Sequence, residues 1–104
     1  MKSVAGKRVL VTGGAMGMGR LFAERAIAEE AAAVVLWDVN EAALNDTLDA
    51  VAALVDGPTE VTGWVVDVSD PAAVADTAAA VLAETGPIDV LVNNAGVVRG
   101  NHYF

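Results

Sequence analysis

Apolar positions along the chain fall into short blocks separated by Gly, Asp and Asn, and the blocks alternate between two textures. The first is a run of branched aliphatic residues too short to show a helical period. Lys7 to Thr12 (Lys-Arg-Val-Leu-Val-Thr) is such a run, halted by Gly13-Gly14, and it predicts a first strand. The second texture is a longer stretch of helix formers. From Met18 to Ala31, Met18, Phe22 and Ala26 lie four apart, with Leu21, Ala23 and Ile27 widening the same side. This predicts a helix with that face turned inward.

The alternation continues. Ala33 to Asp38 predicts a second strand, and Asn40 can cap a helix whose Leu44, Leu48, Val51 and Val55 recur at i, i+4, i+7 and i+11. That helix should end near Asp56-Gly57-Pro58. Glu60 to about Val66 reads as a third strand. After Asp67-Val68, Ser69-Asp70-Pro71 sets a capping side chain before a proline suited to a first helical turn, and Val74, Ala78, Val81 and Thr85 mark the inner stripe. Gly86-Pro87 stops this helix. Ile88 to Asn93 then forms a fourth apolar run ending at Asn94-Ala95-Gly96.

The predicted order is βαβαβαβ. Near-continuous apolar strands alternating with helices imply an α/β fold, a doubly wound parallel sheet covered on both faces and joined by right-handed crossovers. Trp37 and Trp64 lie inside apolar runs and are expected to pack between layers, whereas Glu41, Asp46 and Asp49 form a solvated helix face. No internal repeat, linker or low-complexity tract interrupts the pattern, so residues 1–104 form a single domain or part of one.

Composition narrows the function classes. Hydrophobic residues make up 55% of the 104 residues and charged ones 19%, which is too apolar for disorder. No apolar run approaches the roughly 20 residues of a membrane span, and Met1 to Arg8 holds no apolar signal core, so a cytoplasmic setting without a membrane partner is expected. The absence of Cys and the single His leave no disulfide, no thiolate chemistry and no expected metal site. The net charge is −8, and Lys2, Lys7, Arg8, Arg20 and Arg25 supply five of the six basic residues, all near the start. The remainder would repel a phosphate backbone, and no nucleic-acid partner is expected.

In open parallel sheets, ligands bind outside the carboxyl ends of the strands, where helix N-termini and loop backbones converge. The unusual residues fall at those ends. The first strand runs into Gly13-Gly14-Ala15-Met16-Gly17-Met18-Gly19, the second into Asp38-Val39, the third into Asp67-Val68 and the fourth into Asn94-Ala95-Gly96. A glycine-rich loop can bring backbone N–H groups and a helix N-terminus against a pyrophosphate, although alone it is equally a tight turn with no ligand. Gly14 to Gly19 has the glycine spacing of a P-loop, but Arg20-Leu21 stands where Lys and Ser or Thr are required. Gly-x-Gly-x-x-Gly is also absent. What remains is Gly-x-x-x-Gly-x-Gly.

Thr12-Gly13-x-x-x-Gly17-x-Gly19, Asp67-Val68 and Asn93-Asn94-Ala95-Gly96, in this order and spacing, closely resemble the classical short-chain dehydrogenases/reductases, from Lys7 to the last residue. The resemblance implies a Rossmann-like domain of which these residues form the N-terminal half, and an oxidoreductase that moves hydride between a nicotinamide and an alcohol or carbonyl substrate. It implies that Gly13, Gly17 and Gly19, with Met16 and Met18 between them, form the cofactor loop. It further implies that Asp67 meets the adenine amino group, that the Val68 backbone lies beside the ring, and that Asn94, Ala95 and Gly96 line the ribose nearer the nicotinamide. Asn93 would tie strand ends together. Ala31 departs from the family, which commonly has Gly after the first helix; an Ala forced into the left-handed region costs about 1 kcal/mol or shifts the cap.

Asp38 follows Gly19 by about 20 residues, where a carboxylate at the end of the second strand can accept both hydrogen bonds from an adenosine ribose. With Val39 beside it, Asp38 points to NAD rather than NADP, because a 2′-phosphate carries a charge of roughly −2 and would be repelled. The resemblance also implies a catalytic Tyr with a Lys four residues later, an upstream Ser and an active-site Asn. Here the lysines are Lys2 and Lys7, the single Tyr is Tyr103 and the serines are Ser3 and Ser69, so no catalytic residue is assigned. His102 and Tyr103 read as an exposed end. Two alternatives stay open: a noncatalytic nucleotide-binding module, and a fragment whose fourth strand is an unpaired, association-prone edge. A homo-oligomer is compatible with the family but not read from these residues.

Overall fold

A computed structural model describes residues 3–15 and 17–94 of the chain. The elements are β1 (Arg8–Thr12), α1 (Gly17–Ala28), β2 (Ala33–Asp38), α2 (Glu41–Ala52), β3 (Glu60–Val65), α3 (Pro71–Glu84) and β4 (Val90–Asn93). The alternation is the predicted one, with α1 and α2 stopping earlier than Ala31 and Asp56. All strand pairs are parallel, in the order β3-β2-β1-β4. The sheet is thus the first part of a Rossmann-like α/β fold.

Alternate residues of each strand face opposite layers. Val9, Val11, Val34 and Leu36 meet Ala23, Ala26 and Ile27 of α1 and Leu44 and Val51 of α2 in the larger core cluster. Leu10, Val35 and Trp37 face the other way, toward Val66, just past β3, and Val81 of α3. Burying a side chain such as Leu36 or Leu44 contributes about 1.5–3 kcal/mol. The α3 layer is thinner: Val81 is the buried residue of that helix, and Leu91, in register with Leu10, is 47% exposed on the edge strand β4. Among the described residues no helix is long and apolar enough to cross a membrane.

The inward face of α1 keeps Ala23, Ala26 and Ile27 of the predicted one but not its three larger residues nearer the start of the helix. Met18, Leu21 and Phe22 are 58%, 56% and 40% exposed, whereas Gly19, Ala23, Ala26 and Ile27 are buried. The cause is distance: a Cβ added to Gly19 would stand 2.1 Å from the Gly13 carbonyl oxygen, so the line of contact begins at a residue without a side chain. The two alanines that follow it on that face are also small.

The end of α1 carries the shifted cap. Glu30 has φ 63, its N–H donates to the Ile27 carbonyl at 3.0 Å, and the Ala31 N–H donates to the Ala26 carbonyl at 3.0 Å, the bond pair of a Schellman motif. The left-handed position therefore falls on Glu30, and Ala31 is buried just beyond it. Glu30→Gly is expected to raise stability by about 0.5–1 kcal/mol, since the relief of left-handed strain outweighs the entropy Gly adds to the unfolded chain. The urea midpoint should rise at constant slope; a lowered midpoint would contradict this.

The other helices start as their sequences predict. Asn40 caps α2 by accepting from the Ala43 N–H at 3.0 Å. Asp70 caps α3 by accepting from Ala72 and Ala73 at 3.1 and 3.2 Å, with Pro71 opening the first turn. Gly86, at φ 107, turns the chain away after α3.

Candidate functional site

The register brings the carboxyl ends of the strands to one edge. Thr12 pairs with both Trp37 and Asn93, Trp37 with Trp64, and Asp38 with Val65. The segments that follow, Gly13–Ala15, Asp38-Val39, Asp67-Val68 and Asn94, therefore leave the sheet side by side.

The loop after β1 is held by hydrogen bonds to its neighbours. Gly13 and Gly17 adopt φ 66 and 57, conformations that favour glycine. The Gly13 and Gly14 N–H groups donate to the Trp37 carbonyl at 2.8 and 3.1 Å. The Ala15 N–H donates to Asp38 Oδ2 at 3.1 Å, and the Ala15 carbonyl accepts from the buried Thr47 hydroxyl at 2.5 Å. From the other side, Asn94 Nδ2 donates to the Gly13 carbonyl at 3.3 Å and Thr12 Oγ1 donates to Asn93 Oδ1 at 3.0 Å, so Asn93 does join two strand ends. The first turn of α1 contains no acidic residue, which leaves its positive end unneutralised from within the turn. A Cβ on Gly17 would meet nothing within 4 Å, so the loop is open to an approaching group there.

Two carboxylates flank the loop. Asp38 Oδ1 accepts from the Asn40 N–H at 3.0 Å while Oδ2 holds Ala15, so the residue that ends β2 also fixes the loop after β1. Asp67 is exposed and receives both the Ser69 hydroxyl, at 2.6 Å, and the Ser69 N–H, at 2.9 Å, on Oδ1. These bonds, the hydroxyl first, hold its carboxyl below the usual aspartate range. A folded-state value below the unfolded one means that the stabilisation is complete above the ordinary aspartate range. It fades as pH falls through the lowered value. Ser69→Ala should move Asp67 part of the way back up in a carboxyl NMR titration, and an unmoved titration would exclude the hydroxyl as the main cause.

The structure thus joins Gly13, Gly19, Asp38 and Asn94 into one bonded or closely packed unit, with Gly17 at the open start of α1. Asp67 follows at the neighbouring strand end, and Val68 packs half-buried against the α3-side cluster. Met18 and Val39 are exposed on the first turn of α1 and just past β2. Met16, Ala95 and Gly96, like His102 and Tyr103, lie outside the described residues. Thr47 escaped the sequence reading, which followed apolar residues along α2. Its position three residues after Leu44 and four before Val51 was the available signal, since that spacing puts it on the inner stripe.

A family model described as short chain dehydrogenase matches residues 7–103. The chain belongs to the short chain dehydrogenase family. Estradiol 17-beta-dehydrogenase 11 from Macaca fascicularis is 41% identical over 103 residues, covering 99% of this chain and 33% of the relative. The solved structure of NAD+-bound xylitol dehydrogenase superposes with a TM-score of 0.78 at 33% identity, covering 86% of this chain and 33% of the other. L-sorbose reductase from Gluconobacter frateurii, complexed with NADPH and L-sorbose, has a TM-score of 0.82 at 29% identity, covering 93% of this chain and 36% of the other. The chain spans about a third of the length of the curated relatives it matches. The two solved structures, of similar fold, thus hold different nicotinamide cofactors.

Proposed function

We propose that residues 1–104 are the NAD-binding part of a single Rossmann-like domain in a cytoplasmic oxidoreductase. The reaction moves hydride between a nicotinamide and a small alcohol or carbonyl substrate. The observation that carries this reading is the bonded unit at the sheet edge, in which the glycine loop, the open end of α1 and Asp38 are fixed relative to one another. Gly13, Met16, Gly17, Met18 and Gly19 would receive the pyrophosphate. Asp38 and Val39 would take the adenosine ribose, Asp67 and Val68 the adenine, and Asn94, Ala95 and Gly96 the second ribose. NAD, when bound, supplies the hydride chemistry.

The donors and acceptors fit such a ligand. Each oxygen of Asp38 accepts one backbone N–H and keeps acceptor capacity for a ribose hydroxyl, and Asp67 engages Ser69 through Oδ1 only. NAD is favoured over NADP because Arg20, the nearest cation in the helix after the loop, pairs with Glu24 one turn on, at 3.2 Å. Family-type catalysis would require a Tyr-x-x-x-Lys pair with a Ser upstream of it, an arrangement that residues 1–104 do not contain, which supports a second reading of these residues by themselves as a noncatalytic binding module. Assaying residues 1–104 with NAD and a panel of alcohols tests the second reading. NAD binding without turnover is expected of these residues by themselves, and turnover by them would refute both the binding module and the assignment of catalysis elsewhere.

A further inference from the structure

We propose that Thr47 is a positioning residue for the cofactor site, holding Ala15 so that the glycine loop and Asp38 meet the cofactor as one preformed surface. This rests on the reading of that site as a dinucleotide site. Thr47 is 1% exposed, on the inner side of α2 between Leu44 and Val51, where an aliphatic residue would pack as well. A hydroxyl at such a place is costly unless bonded, and its partner is the Ala15 carbonyl, 32 residues away in the chain. Ala15 is itself buried between the two glycines of positive φ, and its N–H is taken by Asp38. Both polar groups of this one residue are therefore pinned from different elements.

The bonds close a circuit. Thr47 holds the Ala15 carbonyl, Ala15 donates to Asp38 Oδ2, Asp38 Oδ1 accepts from Asn40, and the Asn40 side chain caps α2, the helix that carries Thr47. A loop with two glycines in the left-handed region has wide backbone freedom when unrestrained. Ordering it only on binding would weaken affinity, and a loop ordered beforehand avoids that loss. Thr47 thus ties the pyrophosphate-facing loop to the same helix and carboxylate that face the ribose.

The test uses the full chain, with NAD titrated by calorimetry and amide exchange followed at Ala15 and Gly17 in the absence of ligand. Thr47→Val, which keeps the volume and removes the donor, should raise the NAD Kd by roughly five- to tenfold, the scale of one buried hydrogen bond, and speed exchange at the loop amides. Thr47→Ser, which keeps the donor and gives up the methyl group, should retain wild-type Kd and exchange even if its melting temperature falls. If Thr47→Val does not fold, Thr47→Cys supplies the same comparison with a weak donor of similar size. Wild-type Kd and exchange in the donor-deficient variant would overturn the proposal, as would an equal loss of affinity in Thr47→Ser. If the wild-type chain does not bind NAD, the cofactor reading fails, and the exchange measurements alone decide whether Thr47 orders the loop.

Discussion

Gly19→Ala is expected to lower stability by about 3 kcal/mol or more and to remove measurable NAD binding. The added methyl would stand 2.1 Å from the Gly13 carbonyl oxygen, 2.9 Å from its carbon and 3.0 Å from Asn94 Nδ2. The first two are backbone atoms, so no side-chain rotation relieves the clash. Either α1 must lift from β1, emptying part of the core around Ala23 and Ile27, or the loop must break its bonds to Trp37, Asp38 and Asn94. The opposing effect is the better helix propensity of Ala, worth about 1 kcal/mol, and it is the smaller. Urea unfolding and an NAD titration check both parts. A variant with wild-type stability and affinity would mean that α1 stands off the loop.

Asp38→Asn is expected to have the second-largest effect, and to act on cofactor choice. Two charges about 4 Å apart repel by on the order of 1–4 kcal/mol for effective dielectrics between 80 and 20, and a 2′-phosphate carries nearly two. Removing the carboxylate charge should therefore shift the NAD-to-NADP affinity ratio toward NADP by about tenfold or more. NAD itself should bind more weakly, because hydrogen bonds to a charged acceptor are worth about 1.5–3 kcal/mol. The variant also leaves one acceptor oxygen for the two N–H groups of Ala15 and Asn40 that the carboxylate holds separately. Loosening of the loop is thus expected alongside the change in preference. An unchanged affinity ratio would remove Asp38 from the discrimination.

Strand and cap positions were legible in the sequence because the signals are local. The apolar run of Ala33 to Asp38 becomes β2 with those ends, and Asn40 and Asp70 cap within three residues of themselves. The parallel arrangement followed from the alternation, since each crossover helix carries the chain back so that every strand runs the same way and all carboxyl ends share one edge. That edge is why Gly13, Asp38, Asp67 and Asn94 could be grouped from their places in the pattern before any distance was known.

What the sequence hid depends on contacts between distant segments. Ala23, Ala26 and Ile27 face inward as the periodicity predicts, but Met18, Leu21 and Phe22 do not, because the first turns of the helix pack through Gly19 at a separation those larger residues could not tolerate. Glu30 gave no sign of its left-handed backbone, because the Schellman cap and not the residue type selects that position. Thr47 lies on the inner side of α2 with Leu44 and Val51, and its importance comes from a carbonyl of another loop, which no local pattern displays. The two oxygens of Asp38 illustrate the same limit: the pattern offered them to a ribose, and the fold also uses them to hold Ala15 and Asn40.

Paired calorimetric titrations of the chain with NAD and with NADP decide whether this sheet edge is a dinucleotide site selective for NAD. Saturable binding of NAD, tighter than that of NADP by about tenfold or more, is the predicted result. Binding of NADP as tight as or tighter than NAD, or no saturable binding of either, would contradict it.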